Sequence, residues 1–465
     1  MKHDLVVFVP GFLGTRLCRE GRDVWARCGE QLIGSSAEAL TEVALPPGLG
    51  DAPPEGPYRL DADALLQVPD SVPGLLSCMG YPDVRTALGD PLDAQFVPFG
   101  YDWRLSHRLV ARRLKTRVAR ELDRWRAEVD AHYPDRPDDP RVILVCHGTG
   151  GLVGRHYLEC EDGRDTARTL VTLGTPQQGL VQAARLLAGH AVPGDVGLGD
   201  AGHGADVAAR LNEALHDWAV NLPAVVEMLP VVHPAVRVEG KSRRRQITDS
   251  RYPVPGLPGD AVREALAFQE EFRSACDEHR RDGSLPYTVH CLGSVDFPSP
   301  EALVLSCDGS RITDSLLGPG DGTVPRRSAV ADWTGTDPML WTGFRNADLA
   351  SGPALRDAML AIRAGRPPGG TLAGGEGIAL HFPRDPVAAG RPFVIELLGH
   401  DLPRRNLRTF MWRSGRPDRQ PVVFRQYEPD RYRAELEATP GRWVVEALVD
   451  RPKGRDRRDV TVMAV

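Results

Sequence analysis

The 465 residues carry 63 acidic against 57 basic side chains, a formal net charge of −6, and 42% of them are hydrophobic. That balance suits a chain able to bury a sizeable core and argues against non-specific nucleic-acid binding. No apolar run approaches the roughly 18 residues that cross a bilayer, and the opening Met1-Lys2-His3-Asp4 has no charged region leading into an apolar stretch. The expectation is a cytoplasmic chain without a transmembrane segment.

Cysteines stand at 18, 28, 78, 146, 160, 276, 291 and 307. Scattered in this way they read as reduced thiols, with Cys18 and Cys28 the only close pair. Lysine occurs only at 2, 115, 241 and 453, a GC-rich coding bias that says little about partners. The run Lys241-Ser242-Arg243-Arg244-Arg245 reads as a solvated loop.

Taken in chain order, Leu5-Val6-Val7-Phe8-Val9 is a continuous apolar run stopped by Pro10-Gly11, the pattern of a strand covered on both faces. Similar runs follow at residues 95–99, 142–146, 169–173 and 287–292. Between them, 110–127, 153–158, 205–219 and 261–276 space their apolar residues for helices. Strands alternating with helices imply a largely parallel sheet. Residues 183–258 break that rhythm with helices, Gly/Pro loops and an apolar stretch at 222–230, and read as a helical cap insertion. Residues 366–373 read as a linker, since Pro367, Pro368, Gly369 and Gly370 support neither helix nor ladder. Beyond it, short strands at 378–382, 393–397, 422–424, 432–436 and 443–448 suggest a small β-sandwich over 374–465, with Thr439-Pro440-Gly441-Arg442 as a turn.

One segment decides the chemistry. Val145-Cys146-His147-Gly148-Thr149-Gly150-Gly151 has the surroundings of a G-x-S-x-G nucleophile turn, with glycine in place of the attacking serine. Cys146 closes a buried strand, where cysteine is an inert small hydrophobe, and Thr149 lies one position past the apex. Asp102 and Arg104 read as an internal polar brace, and His381 as a structural histidine on an alternating strand. No cluster has metal-ligand spacing and no phosphate loop is present, so neither metal nor cofactor is expected.

Several motifs in the right order resemble the lecithin:cholesterol acyltransferase-like branch of the α/β-hydrolases over about residues 5–365. They are Val9-Pro10-Gly11-Phe12-Leu13-Gly14-Thr15-Arg16-Leu17 with Val24-Trp25, Phe99-Gly100-Tyr101-Asp102-Trp103-Arg104, Thr172-Leu173-Gly174-Thr175-Pro176 with Gly179, and Gly320-Asp321-Gly322-Thr323-Val324-Pro325 with Ser328. The resemblance implies an α/β-hydrolase domain over 1–365, with Asp321 as the catalytic acid. It also implies that Asn346 stands where the histidine should be, within Phe344-Arg345-Asn346-Ala347-Asp348-Leu349. After Asp321 the only histidines are His381 and His400, both in the β-region. The oxyanion hole it implies is built from backbone N–H groups of Thr149 and of Phe12 or Leu13.

Glycine supplies no nucleophile, and a neutral amide does not take up a proton as imidazole does. The expectation is therefore a non-catalytic pseudo-enzyme that binds a lipid or acyl ligand, or a protein partner through the cap or β-domain. An esterase, phospholipase or acyltransferase with an unconventional nucleophile is the alternative, and a purely structural module a third.

Overall fold

The computed structural model describes residues 3–464 except 27–39, 68–69, 73–75, 79, 90–94, 135–138, 192–203, 252, 284, 335–337, 366–367, 369–377, 382–386, 400–406, 414–417, 429–430 and 452–453. The chain divides into two compact units. One holds residues 1–341 and 345–370, the other residues 342–344 and 371–465. The expected linker, apart from Pro368, and Cys28 and His400 lie outside the described residues.

The first unit is built on a six-stranded sheet in the order Met339–Thr342, Thr288–Ser294, Ala167–Leu173, Val142–His147, Leu5–Val9, Phe96–Pro98. The registered pairs among its last five strands are all parallel, for example Val7 with Leu144 and Cys146 with Thr172. Every residue of Leu5–Val9 and Val142–His147 is buried, so both faces of the sheet are covered. This explains why the strands read as unbroken apolar runs instead of alternating ones. Helices His107–His132 and Gly150–Cys160 pack against each other and the sheet, and Gly259–Asp282 packs on Gly150–Cys160. Ser106 caps the first of them, its hydroxyl accepting from Arg108 N at 3.2 Å.

The insertion is helical only in its first part. Val181–Leu187, Gly204–Ala219 and Pro223–Val226 are helices, but Pro234–Val238 and Arg245–Gln246 are strands of a second sheet. Their partners are the hairpin strands Phe297–Leu305 and Ile312–Gly320, which the hydrophobic pattern did not reveal. Pro298, Pro300 and Pro319 lie inside that hairpin, and the register shifts between Pro300 and Ala302. A bulged edge hairpin is the setting that tolerates proline in a strand. The basic run at 241–245, read as a loop, ends in one of these strands at Arg245.

The second unit contains two four-stranded antiparallel sheets. One orders Ile378–His381, Phe393–Gly399, Arg431–Leu436 and Arg425–Glu428. The other orders Gln420–Pro421, Leu407–Arg413, Gly441–Arg451 and Gly454–Ala464. Phe393, Ile395, Leu397, Met411, Val445, Ala447 and Val449 form its core. Residues 422–424, expected as a strand, instead connect two: Val423 is 75% exposed, while Val422 is buried, its N–H donating to Thr409 O at 3.0 Å, and Phe424 packs against the core.

Candidate functional site

The Val142–His147 strand runs into helix Gly150–Cys160 through Gly148 and Thr149. Gly148 has φ +51°, and its N–H donates to Leu173 O at 2.8 Å. Three further glycines in the helix let it approach the sheet closely. A Cβ on Gly150 would lie 2.6 Å from Val9 O and closer still to Pro10 O, and one on Gly154 would lie 2.6 Å from Cys146 Sγ. Gly148 differs. A Cβ there meets only Gly11 Cα, at 3.6 Å, an ordinary contact.

Two substitutions should therefore part company. Gly148→Ala is expected to cost about 1–2 kcal/mol, the strain of an L-residue in the left-handed region. Gly150→Ala is expected to cost about 3 kcal/mol or to abolish soluble expression, because the obstruction is backbone. Urea unfolding of both would check this, and equal losses would refute it.

Asp321 follows the second hairpin strand and is 2% exposed. Its Oδ1 accepts from Val324 N at 2.7 Å and Thr323 N at 3.0 Å, and its Oδ2 accepts from Asn346 Nδ2 at 2.7 Å. The same Asn346 amide nitrogen donates to Gly174 O at 2.9 Å, and Asn346 N donates to Asp321 O at 2.9 Å. Both amide hydrogens are thus spent on acceptors, which fixes the amide's orientation. Asp321 and Asn346 are brought together beside the C-terminal end of the strand next to the Gly148 turn.

A third connection was not legible in the sequence. Gly11 N donates to Tyr81 Oη at 2.9 Å, Tyr81 Oη lies 2.8 Å from His147 Nδ1, and His147 Nε2 lies 2.9 Å from Asn346 O. Since Asn346 O only accepts, the proton sits on Nε2 and the tyrosine hydroxyl donates to Nδ1. His147 is fully buried and both its ring nitrogens are engaged. Tyr81 belongs to no motif, so only the fold announces it.

Phe12 and Leu13 occupy a tight turn closed by Gly14 N donating to Gly11 O at 3.0 Å. Leu13 has φ +64° at the third position, where a turn of this kind favours glycine. Trp25 Nε1 holds Leu13 O at 3.1 Å, and Trp103 Nε1 holds Thr15 O at 3.2 Å. Leu13 and Thr149 are both buried.

Other residues singled out by sequence have structural surroundings. Arg104 clasps Asp102 through Nε at 2.8 Å and Nη2 at 2.7 Å, both side chains buried. Burial pushes the Cys146 thiol well above its ordinary range, so it is no thiolate nucleophile. A cavity of about 650 Å³ is lined by Leu60, Phe99, Tyr101, Asp102 and Arg113 among others, and by none of Gly148, Asp321 or Asn346. Among the described residues no group of His, Cys, Asp or Glu could hold a metal ion, and no helix is long and apolar enough to cross a membrane.

A mostly parallel sheet with a glycine-rich strand–turn–helix at its centre, and an acid-bearing loop at the ends of its strands, defines an α/β-hydrolase fold, here followed by a small antiparallel β-unit. No family model matches the chain. Over 123 residues, 25% of this chain, it is 29% identical to the uncharacterized protein YJR098C of Saccharomyces cerevisiae, spanning only 17% of that relative. Among solved structures it is similar to that of the Tle4–Tli4 complex, at 14% identity and TM-score 0.45 over 78% of this chain and 98% of the other. It is also similar to the lipase BlEst2 of Bacillus licheniformis in its mature form, at 12% identity and TM-score 0.30 over 77% of this chain and 91% of the other.

Proposed function

We propose that this chain is a non-catalytic member of the lecithin:cholesterol acyltransferase-like α/β-hydrolases, and that it binds an acyl or lipid ligand at the former site. In this reading Gly148 stands at the nucleophile position, Asn346 at the histidine position and Asp321 is the retained acid. The observation that carries it is the Asn346 amide donating to Asp321 at 2.7 Å, the bond an imidazole would make, beside a turn whose Gly148 bears no side chain. In serine hydrolases, loss of nucleophile or base removes on the order of a millionfold in turnover. The oxyanion donors survive because they are backbone groups: N–H of Thr149 and of Phe12 or Leu13, able to hold a carbonyl oxygen.

The active-enzyme alternative needs another attacking group. Cys146 is buried with a raised pKa, and both nitrogens of His147 are committed. A protein partner engaged through the insertion or the β-unit would be an additional role. The purified chain should show no turnover of short-chain esters or phospholipids beyond an Asp321→Asn control, and no covalent fluorophosphonate adduct. Native mass spectrometry should find an acyl lipid carried through purification. Asp321-dependent turnover, or an acyl adduct on any side chain, would overturn the proposal.

A further inference from the structure

The cavity of about 650 Å³ is lined by parts of the 53–62 segment, by the residues that follow strand Phe96–Pro98, and by Arg113 of helix His107–His132. Its walls are held in place by the protein itself. Asp61 exchanges both main-chain hydrogen bonds with Cys18, at 2.9 Å each. The buried Arg104 guanidinium joins two of the walls, its Nη2 donating to Tyr58 O at 2.8 Å and to Asp102 Oδ2 at 2.7 Å. Its Nη1 is buried as well and has no partner among the described residues. Leu60, Phe99 and Tyr101 supply a buried apolar lining. Small-molecule sites commonly combine such a lining with a few polar groups.

The charges at this cavity narrow the class of ligand. Arg59 and Arg113 bring two cations, Glu55 and Asp61 two carboxylates, and among the described residues none of the four side chains is bonded to another group. The third carboxylate, Asp102, is already satisfied by Arg104 N, Nε and Nη2. Arg113 also begins a row. Arg117, Arg120 and Arg124 follow it at helical spacing on one face. These three share a single carboxylate, Glu121, at 3.0, 3.1 and 2.7 Å, so the row keeps an excess of positive charge beside Arg113. That excess favours an anion at the arginine side. Guanidinium forks match phosphate oxygens, whereas ionised carboxylates only accept and so require donors such as hydroxyls.

We propose that this cavity binds a phosphorylated sugar or polyol, its phosphate held by Arg59 and Arg113 and its hydroxyls donating to Glu55 and Asp61. None of Gly148, Asp321 and Asn346 lines the cavity, so this ligand is additional to any acyl ligand and its binding is tested separately. The full chain would be titrated by calorimetry with glucose 6-phosphate, glucose and inorganic phosphate. Glucose 6-phosphate should bind at least about tenfold more tightly than either half, the effect of one further charge-assisted bond. Arg113→Gln should weaken it about tenfold. Glu55→Ala with Asp61→Ala should also weaken glucose 6-phosphate while tightening inorganic phosphate, because the pair removes both hydroxyl acceptors and two negative charges. All of these side chains are exposed, which keeps the variants folded.

A free sugar phosphate and the headgroup of phosphatidylinositol share this chemistry. Sedimentation with phosphatidylcholine vesicles, with and without phosphatidylinositol, separates them: phosphatidylinositol-dependent binding lost in Arg113→Gln assigns a lipid-borne source, and glucose 6-phosphate binding without it a soluble one. Equal affinity for glucose 6-phosphate and inorganic phosphate would reduce the cavity to an anion patch and overturn the inference. Tighter binding of O-phosphoethanolamine would give the carboxylates an ammonium partner and overturn it too. So would binding indifferent to Arg113 and to the Glu55 and Asp61 pair, or no binding in either assay.

Discussion

The paired substitution Gly148→Ser with Asn346→His is expected to raise hydrolysis of a p-nitrophenyl butyrate substrate by about a thousandfold or more over the unaltered chain. That is part of the roughly millionfold that nucleophile and base supply together. Three geometric facts support this. A Cβ at position 148 fits, with its nearest neighbour 3.6 Å away. The Gly148 backbone already has φ +51°, which a serine would share at a cost of about 1–2 kcal/mol. An imidazole N–H at 346 finds Asp321 Oδ2 already placed to accept it, 2.7 Å from the present amide nitrogen. Either substitution alone should give little, because a serine without a base, or a base without a serine, is close to no triad at all. The measurement is initial rate against a thermal melt of the same preparation. A folded double variant with no gain would mean that the site has drifted beyond these two positions, and the relic reading would fall with it.

The second large effect lies in the insertion and concerns stability. Glu227 is fully buried. It accepts from Ser106 Oγ at 2.5 Å, His107 N at 2.7 Å, His107 Nδ1 at 2.6 Å and Arg108 Nη1 at 2.9 Å, so one carboxylate ties the 222–230 segment to the start of helix His107–His132. Glu227→Ala should destabilise the chain by about 3–5 kcal/mol, since it strands buried donors and the Arg108 charge. Arg108 also pairs with Glu264 at 2.8 Å and Glu271 at 2.8 Å, which softens the loss on its side.

The pH dependence has a definite sign. Burial alone would raise the Glu227 pKa, but the His107 hydrogen bond and charge, with the Ser106 and His107 N–H bonds, outweigh it and hold the carboxyl below its ordinary 4.5. A depressed carboxyl contributes stability that is complete above 4.5 and disappears as the pH falls below it. Melts between pH 7 and pH 3 should therefore show an acid loss in the native chain that is reduced in Glu227→Gln. Parallel acid profiles would remove Glu227 from the account.

Much of this was written in residue types. Leu5–Val9 and Val142–His147 were legible because a strand buried on both sides needs apolar side chains at every position. Gly148, Asp321 and Asn346 were singled out because motifs fixed their order, and in the structure Asn346 donates to Asp321. The hairpin Phe297–Leu305 with Ile312–Gly320 was hidden by its prolines, which argue against a strand unless the edge and bulge are already known. Gly454–Ala464 was hidden by alternating charges, as in Arg455, Arg457 and Asp459, although Val462 on it reaches the core. Tyr81 and Glu227 had no signal at all. Each acts through a partner more than sixty residues away, and spacing along a chain says nothing about that.

In the proposed reading the turn at Phe12 and Leu13 offers its oxyanion donors through the path of the main chain, with Leu13 at φ +64° and two indoles holding the carbonyls of Leu13 and Thr15. Functional groups of that kind are written in no particular codon. Missense change at 148 or 346 can erase a side chain in one step, whereas an amide hydrogen is lost only to proline or to a change in loop length. If the proposed reading holds, decay by point mutation strips such a protein of reactivity long before it strips it of the capacity to hold an oxygen.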